Sequence, residues 1–449
     1  MDKKIKDPIY GYIDIPIEFV KGIIDTAVFQ RLRRIMQTSY APLYSSAVHN
    51  RFVHSIGVFY LGKIAAEQLQ DEILKKKFLS KNKVEKCVRT YKMACLLHDV
   101  GHAPFSHTGE GFYKTDSYMS TELHKSLIET IGSDKFKKDI PFSESEAVAP
   151  HEIMSCIIGI NEFGELLGDV SSKEFFARCI TGYRYKECTK ENEIKNCFIS
   201  MLNSKVIDVD GLDYLIRDAY ITGFETVNID YIRLLSSLTI ICEKKMYKVA
   251  YRKNALRIIE NVIYAHDAEK KWIQNHPVVL YECFLIQSII AYLNETLNDG
   301  DKKLFSAETL SKKGLEFKNG IHISLMCWKS EAEYKAFIGA MSREGKLKEE
   351  FMDCLKSFVE GKSEGIQKPL IINDELEKVL EKELEQKERE SQKALKEEQD
   401  SAAIESLKQQ QEGARRKLSL CKYLNKYAER QGLKKDFIII KANAFKSNL

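Results

Sequence analysis

The sequence predicts a mainly α protein with a smaller α+β region towards the C-terminus. Three observations carry that expectation. Apolar residues recur at helical spacing over 51–70, 84–99 and 196–220. Only 8 prolines and 23 glycines punctuate 449 residues, too few for a turn-rich all-β chain. Strand-like alternation is confined to the short runs 246–253 and 437–441.

Taken in order, 7–15 reads as an irregular or short extended piece, followed by a helix carrying Phe29, Leu32 and Ile35. In 51–70, His54, Val58, Leu61, Ala65 and Leu69 fall at i, i+4, i+7, i+11 and i+15, which is one helical stripe. In 84–99, Val84, Cys87, Val88, Tyr91, Ala94, Cys95 and His98 share a face, and Gly101 and Pro104 end the helix. The pattern over 196–220 predicts a third helix, and 256–296 a further helical stretch with a break at Pro277.

Composition shifts after Pro369. Residues 374–400 hold 11 acids and 6 bases, which reads as a solvated helix laced with i,i+4 pairs or as an arm packing on another subunit. No sustained heptad supports a long coiled coil. Between 415 and 437, eight bases face two acids. The expected division is a core over 1–300, a helical extension over 301–372, and a charged arm with a basic segment and strand over 373–449.

With 44% hydrophobic and 30% charged residues, wholesale disorder is excluded. The balance of 69 bases against 65 acids leaves +4, which disfavours a nucleic-acid binder acting through bulk charge. No run of 18 uncharged apolar residues exists, so no membrane partner is expected. The opening MDKKIKDPIY has no apolar stretch behind its lysines, so no signal peptide is expected. The 11 cysteines lack CxxC spacing and read as reduced thiols, with the cytoplasm as the expected location.

The chemistry concentrates in histidines. Seven of ten, at 49, 54, 98, 102, 107, 124 and 151, lie in the first third of the chain. Adjacent His98 and Asp99 can reach one side of a helix, and imidazole with carboxylate suits Mn²⁺, Fe²⁺, Mg²⁺ or Zn²⁺. A lone histidine on an apolar stripe is more commonly a satisfied core residue. Two segments shift that balance. His54 also sits on a buried face. Asp210, Tyr214 and Asp218 stand at i, i+4 and i+8, a polar row opposite Leu212, Leu215, Ile216 and Ala219. The row reads as a pocket wall or as a solvated face.

The blocks DPIYG (7–11), IDTAVFQRLR (24–33), VHNRFVHSIG (48–57), LHDVGHAPFSH (97–107) and DVDGLDYLIRD (208–218) resemble the HD-domain metallophosphohydrolases. In particular, they resemble the deoxynucleotide triphosphohydrolase branch related to the sterile-alpha-motif and HD-domain dNTPase. The likeness covers about residues 5–290. It implies an HD-domain helical core and one divalent metal on His54, His98, Asp99 and Asp210. His102, His107 and His151 would hold phosphates and serve acid chemistry, with Glu110 orienting His151; His124 competes for that last role. Arg51 would grip phosphate, and Gln37, Thr38, Tyr214 and Asp218 would meet the sugar. Asp25, Gln30 and Arg33 match positions that hold an activating guanine nucleotide between subunits in tetrameric members, although that block also packs the N-terminal helix. A homo-oligomer, dimer or tetramer, is expected.

Departures are specific. Thr38 replaces a leucine that presses on C2′, which weakens the bar against a ribose hydroxyl. Gly211 replaces a phosphate-gripping lysine. His266, Gln274 and Pro277 stand where an arginine, a tyrosine and a lysine are expected, and Lys270 and Lys271 offer compensation. The expected activity is hydrolysis of (deoxy)nucleoside triphosphates to nucleoside and tripolyphosphate. The rivals are a phosphodiesterase or nuclease acting on cyclic nucleotides or oligonucleotides, and a nucleotide-gated effector without catalysis. Nucleic acid is a less favoured partner than a nucleotide.

Overall fold

The stretch 7–15, irregular or short and extended by sequence, is a hairpin turn leading into a strand. Strands Asp2–Asp7 and Gly11–Pro16 pair antiparallel with Ile5 opposite Ile13. Asp7 builds the turn: its Oδ1 accepts the backbone N–H of Ile9 at 2.8 Å and of Tyr10 at 3.1 Å. The fold is that of a computed structural model. It describes residues 2–38, 43–103, 105–112, 120–140, 148–204, 207–243 and 246–280. Beyond these it describes 283, 287, 370–372, 374–396, a few helical positions between 407 and 422, and 437–439.

The helix expected around Phe29, Leu32 and Ile35 is broken into short turns, Ile17–Phe19, Val20–Ile24, Ala27–Gln30 and Arg31–Arg34. Ile35 is already extended (φ −106°, ψ 116°). All three apolar side chains are nonetheless buried. The break has a use: Arg31, buried, donates to the carbonyls of Val100 and His102, which ties this segment to the loop after the HD pair.

Asn50 starts the central helix Arg51–Lys75 by accepting the Val53 N–H at 3.3 Å. That helix packs on Lys81–Leu97, on Val209–Thr222 and on strand Leu238–Glu243. The stripe His54, Val58, Leu61, Ala65 and Leu69 is fully buried. Pro150–Leu167 and Val170–Thr181 pack beside Lys81–Leu97. Strand Met246–Tyr251 pairs antiparallel with Leu238–Glu243, whose existence the sequence did not predict.

The single helix expected over 196–220 is two, Lys190–Leu202 and Val209–Thr222. Asp208 causes the interruption. Its Oδ1 caps Gly211 N–H at 2.7 Å and its Oδ2 accepts Ser204 N–H at 2.9 Å. Leu256–Glu269 and Lys270–Gln274 precede the expected break before Pro277.

The chain divides into two compact units, Met1–Phe351 with Ala444–Leu449, and Met352–Asn443. In the second, Leu370–Ile372 pairs with Phe437–Ile439 and helix Asp374–Lys396 carries the acidic run. Its Glu381 and Glu388 pair with Lys422 at 2.7 Å and Arg415 at 3.0 Å, so acidic and basic stretches meet within this unit. Most of the expected 301–372 extension lies outside the described residues. Among the described residues, no helix is long and apolar enough to cross a membrane.

Candidate metal centre

His54 comes from the central helix, His98 and Asp99 from the end of Lys81–Leu97, and Asp210 from the first turn of Val209–Thr222. Their ligating atoms converge. His54 Nε2 lies 2.9 Å from Asp210 Oδ1, 3.2 Å from His98 Nε2 and 3.6 Å from Asp99 Oδ2. His98 Nε2 lies 3.4 Å from Asp210 Oδ1 and 3.5 Å from Asp99 Oδ1. Ligands ~2.1 Å from one cation at tetrahedral or octahedral angles sit ~3.0–3.4 Å apart, so the spacing of His54, His98 and Asp210 fits a shared divalent ion, with Asp99 facing the two histidines. Both imidazoles are also held from behind. The His98 Nδ1–H donates to the Cys95 carbonyl at 2.9 Å and the His54 Nδ1–H to Asp213 Oδ2 at 2.8 Å, which leaves each Nε2 for the centre.

Charge is packed tightly here. Burial lowers the basicity of His54, but its bonds to Asp210 and Asp213 outweigh that and push its pKa up to about 10. Burial would raise the Asp210 carboxyl, yet His98 and His54 hold it well below the usual carboxylate range. Asp99 is likewise held low against burial, chiefly by Arg51.

A second group adjoins the first: His102, His107, Glu110 and His151, each with a ligating atom within 4.8 Å of the others. His102 Nε2 lies 3.3 Å from Asp99 Oδ1, which links the two. The His102 and His151 rings stack at 4.0 Å, and Glu110 pairs with His151 Nδ1. Glu110 also lies 3.3 Å from the exposed His107. Burial disfavours charge on His151, but Glu110 raises its pKa. Burial, Arg51 and His151 depress His102 far below the ordinary histidine value. Stacked neighbours therefore differ: His151 is inclined to hold a second proton and His102 to stay neutral.

Close packing makes the junction. An added Cβ at Gly101 would overlap the backbone of Met154 and Ser155, so only glycine brings this loop against the helix carrying His151. Phe105 and Ser106 follow with φ of 65° and 54°, a left-handed pair immediately before His107.

Other expected residues fall as follows. Arg51 is not free to fork onto a phosphate: Nη1 pairs with Asp99 at 2.6 Å, Nε with Ser106 Oγ at 2.5 Å, and Nη2 reaches the Gln37 carbonyl at 3.4 Å. Gln37 Oε1 and Thr38 Oγ1 are buried and have no hydrogen-bond partner among the described residues. A cavity of about 230 Å³ is lined by His98, His151, Glu152, Asp208, Asp210, Gly211 and Tyr214, among others. Asp218 does not line it. The expected wall of Asp210, Tyr214 and Asp218 therefore loses its third member, because His49 Nε2 satisfies that buried carboxylate at 2.7 Å. His124 stands apart from the cluster, bonded to the Tyr183 hydroxyl at 2.9 Å, so the partner of Glu110 is His151. In the 24–33 block, Arg33 Nε donates to Gln30 Oε1 at 2.8 Å and its guanidinium lies 3.5 Å from the Phe52 ring, while Asp25 is exposed. His266 lies beside Asp267 at 3.8 Å, Gln274 bonds Glu269 at 2.8 Å, and Lys271 stacks over Trp272.

Sequence reasoning did not assign Asp213, Arg217 or His49. The signal for the first two was present. They are charges three and seven residues after Asp210, on the flank of the expected polar row and not on its apolar opposite face.

Residues 51–156 match the HD domain family. The chain is 30% identical over 261 residues to a deoxynucleoside triphosphate triphosphohydrolase SAMHD1 of Danio rerio, covering 54% of this chain and 37% of that protein. It is 27% identical over 264 residues to protein MG461 of Mycoplasma genitalium (58% and 52%). To protein YwfO of Bacillus subtilis it is 26% identical over 301 residues (67% and 58%). The chain thus spans about half the length, or less, of these relatives.

Proposed function

We propose that this chain, which carries an HD domain and resembles triphosphohydrolases of the HD superfamily, is a metal-dependent phosphohydrolase acting on nucleotides. The observation that carries the reading is the convergence of His54, His98, Asp99 and Asp210 with both histidine Nδ1 atoms already engaged. A divalent cation held there would supply Lewis-acid polarisation of a phosphoryl oxygen and lower the pKa of water.

The chain's own groups do the rest. Asp99, charged because Arg51 adjoins it, presents one oxygen to the centre and one to Arg51. His151 stands beside the cavity wall with its proton held by Glu110, placed to protonate a leaving oxygen. Neutral His102 backs it. Tyr214 lies on the same wall as Asp210 and would meet the sugar. Hydrolysis of a deoxynucleoside triphosphate to nucleoside and tripolyphosphate is favoured by the resemblance to the triphosphohydrolases.

One observation favours a second substrate class. Among the described residues lining the cavity there is no Lys or Arg, and Gly211 stands in the wall. Fewer fixed cations suit a phosphodiester better than a triphosphate. The test is a product assay on the full chain with Mn²⁺, eight nucleotides and a single-stranded oligonucleotide. Tripolyphosphate supports the first reading and monophosphate or shortened strands the second. No product from any substrate overturns both.

A further inference from the structure

The face of the central helix behind His54 carries an ion network that the proposed chemistry leaves unused. Asp213 Oδ2 accepts from His54 Nδ1 and from Arg217 Nε, both at 2.8 Å. Asp213 Oδ1 accepts from the Tyr10 hydroxyl at 2.7 Å and from Arg217 Nη2 at 3.0 Å. Arg217 Nη1 then reaches Asp7 Oδ2 at 3.0 Å. All five side chains are buried, and Asp213 and His54 are wholly so. Gly57, one turn after His54, makes the room: a Cβ there would overlap Asp213 Oδ1 and Arg217 Nη2.

A core-packing role alone explains Arg217 with Asp7 and Asp213. It does not require the imidazole. An unprotonated Nδ1 would leave the carboxylate facing a lone pair at 2.8 Å. The charged oxygen therefore holds the proton on Nδ1, so that the proton given up to a cation is the one on Nε2, the atom facing His98 and Asp210. Four acceptor sites are filled by four donors, so Asp213 has no freedom to turn away.

We infer that Asp213, locked by Arg217, Tyr10 and Asp7, is a positioning residue that fixes the His54 tautomer and thereby sets the affinity of the centre for a divalent cation. This inference rests on the metal reading above. It makes the hairpin turn at Asp7–Tyr10, two hundred residues distant in sequence, part of the machinery that holds the cation.

The test uses full-length protein, Mn²⁺ as the affinity probe, and the variants Asp213→Asn and Tyr10→Phe. Mn²⁺ binding is titrated by electron paramagnetic resonance, and the His54 ring nitrogens are followed by ¹⁵N NMR in protein loaded with diamagnetic Zn²⁺. The expected result is a 10–100-fold weaker Mn²⁺ affinity for Asp213→Asn, with His54 shifted from the Nδ1–H form. A smaller loss is expected for Tyr10→Phe, whose substitution leaves the carboxylate in place. Wild-type Mn²⁺ affinity and an unchanged His54 spectrum in both variants would overturn the inference while leaving the centre standing. No Mn²⁺ binding by the wild type would instead remove the metal reading itself. Should Asp213→Asn fail to fold, Tyr10→Phe decides alone.

Discussion

Arg51 places Nη1 2.6 Å from Oδ2 of Asp99, and both side chains are out of contact with water. A guanidinium and a carboxylate so buried hold each other in the charged form, and removing one strands the other. The same carboxylate faces His54 and His98 with its remaining reach. Asp99 is therefore charged before any cation arrives, and Arg51 is what keeps it so.

Arg51→Gln should destabilise the metal-free protein by about 3–5 kcal/mol, because a buried carboxylate loses its counter-charge. Mn²⁺ should restore more of the melting temperature in the variant than in the wild type, since a cation beside Asp99 replaces the missing charge. Thermal melts with and without Mn²⁺ check both; equal responses would refute the shared role of Asp99.

Glu110→Gln should lower hydrolysis by roughly 10²–10⁴-fold with Mn²⁺ content unchanged. Glu110 raises the proton affinity of His151 and contacts none of the four proposed ligands in the recorded ion pairs. Turnover and metal stoichiometry measured on the same preparation separate the roles. Loss of metal together with activity would move Glu110 into the cation site.

Thr38→Leu should raise the preference for deoxy- over ribonucleotides by roughly tenfold. The Thr38 hydroxyl is buried and has no partner among the described residues, so a methyl-rich side chain removes a polar atom without breaking a bond to any of them. Competition between dNTP and NTP reads the ratio directly, and an unchanged ratio would refute a sugar contact at this position.

Glu152 predicts a pH effect. Burial pushes its carboxyl up to about 7, against the pull of His151. A carboxyl raised in the folded state favours folding at low pH, and that contribution is lost as pH climbs from the ordinary glutamate range through about 7. Glu152→Gln should therefore gain stability relative to wild type at pH 8 and match or trail it at pH 5. Paired melts at the two values give the sign; a gain confined to pH 5 would reverse the assignment.

Legibility followed physical cause. Helical spacing showed the central helix and the buried side of His54, since periodicity reports a face directly. The HD pair gained weight from His54 and the 208–218 row, since a histidine on an apolar stripe is by itself more commonly a satisfied core residue. What spacing does not report is pairing across the chain. Spacing places Asp218 on a polar row but does not show His49 against it, and it singles out nothing at Asp213, which His54, Arg217 and Tyr10 surround. The pattern over 196–220 hid its break because apolar residues continue on both sides of Asp208, whose capping role depends on where the backbone turns. Short turns at 17–34 escaped for a similar reason: Arg31 is held by two carbonyls far along the chain.

The central claim is that four side chains gather one cation. Its most direct test is Mn²⁺ bound per chain, by equilibrium dialysis with elemental analysis, for the wild type and for a His98→Ala, Asp210→Ala double variant checked for native circular dichroism. The account predicts one bound Mn²⁺ and hydrolysis of a nucleotide or oligonucleotide in the wild type, and neither in the folded double variant. A folded double variant that keeps its Mn²⁺ and its hydrolysis would contradict it.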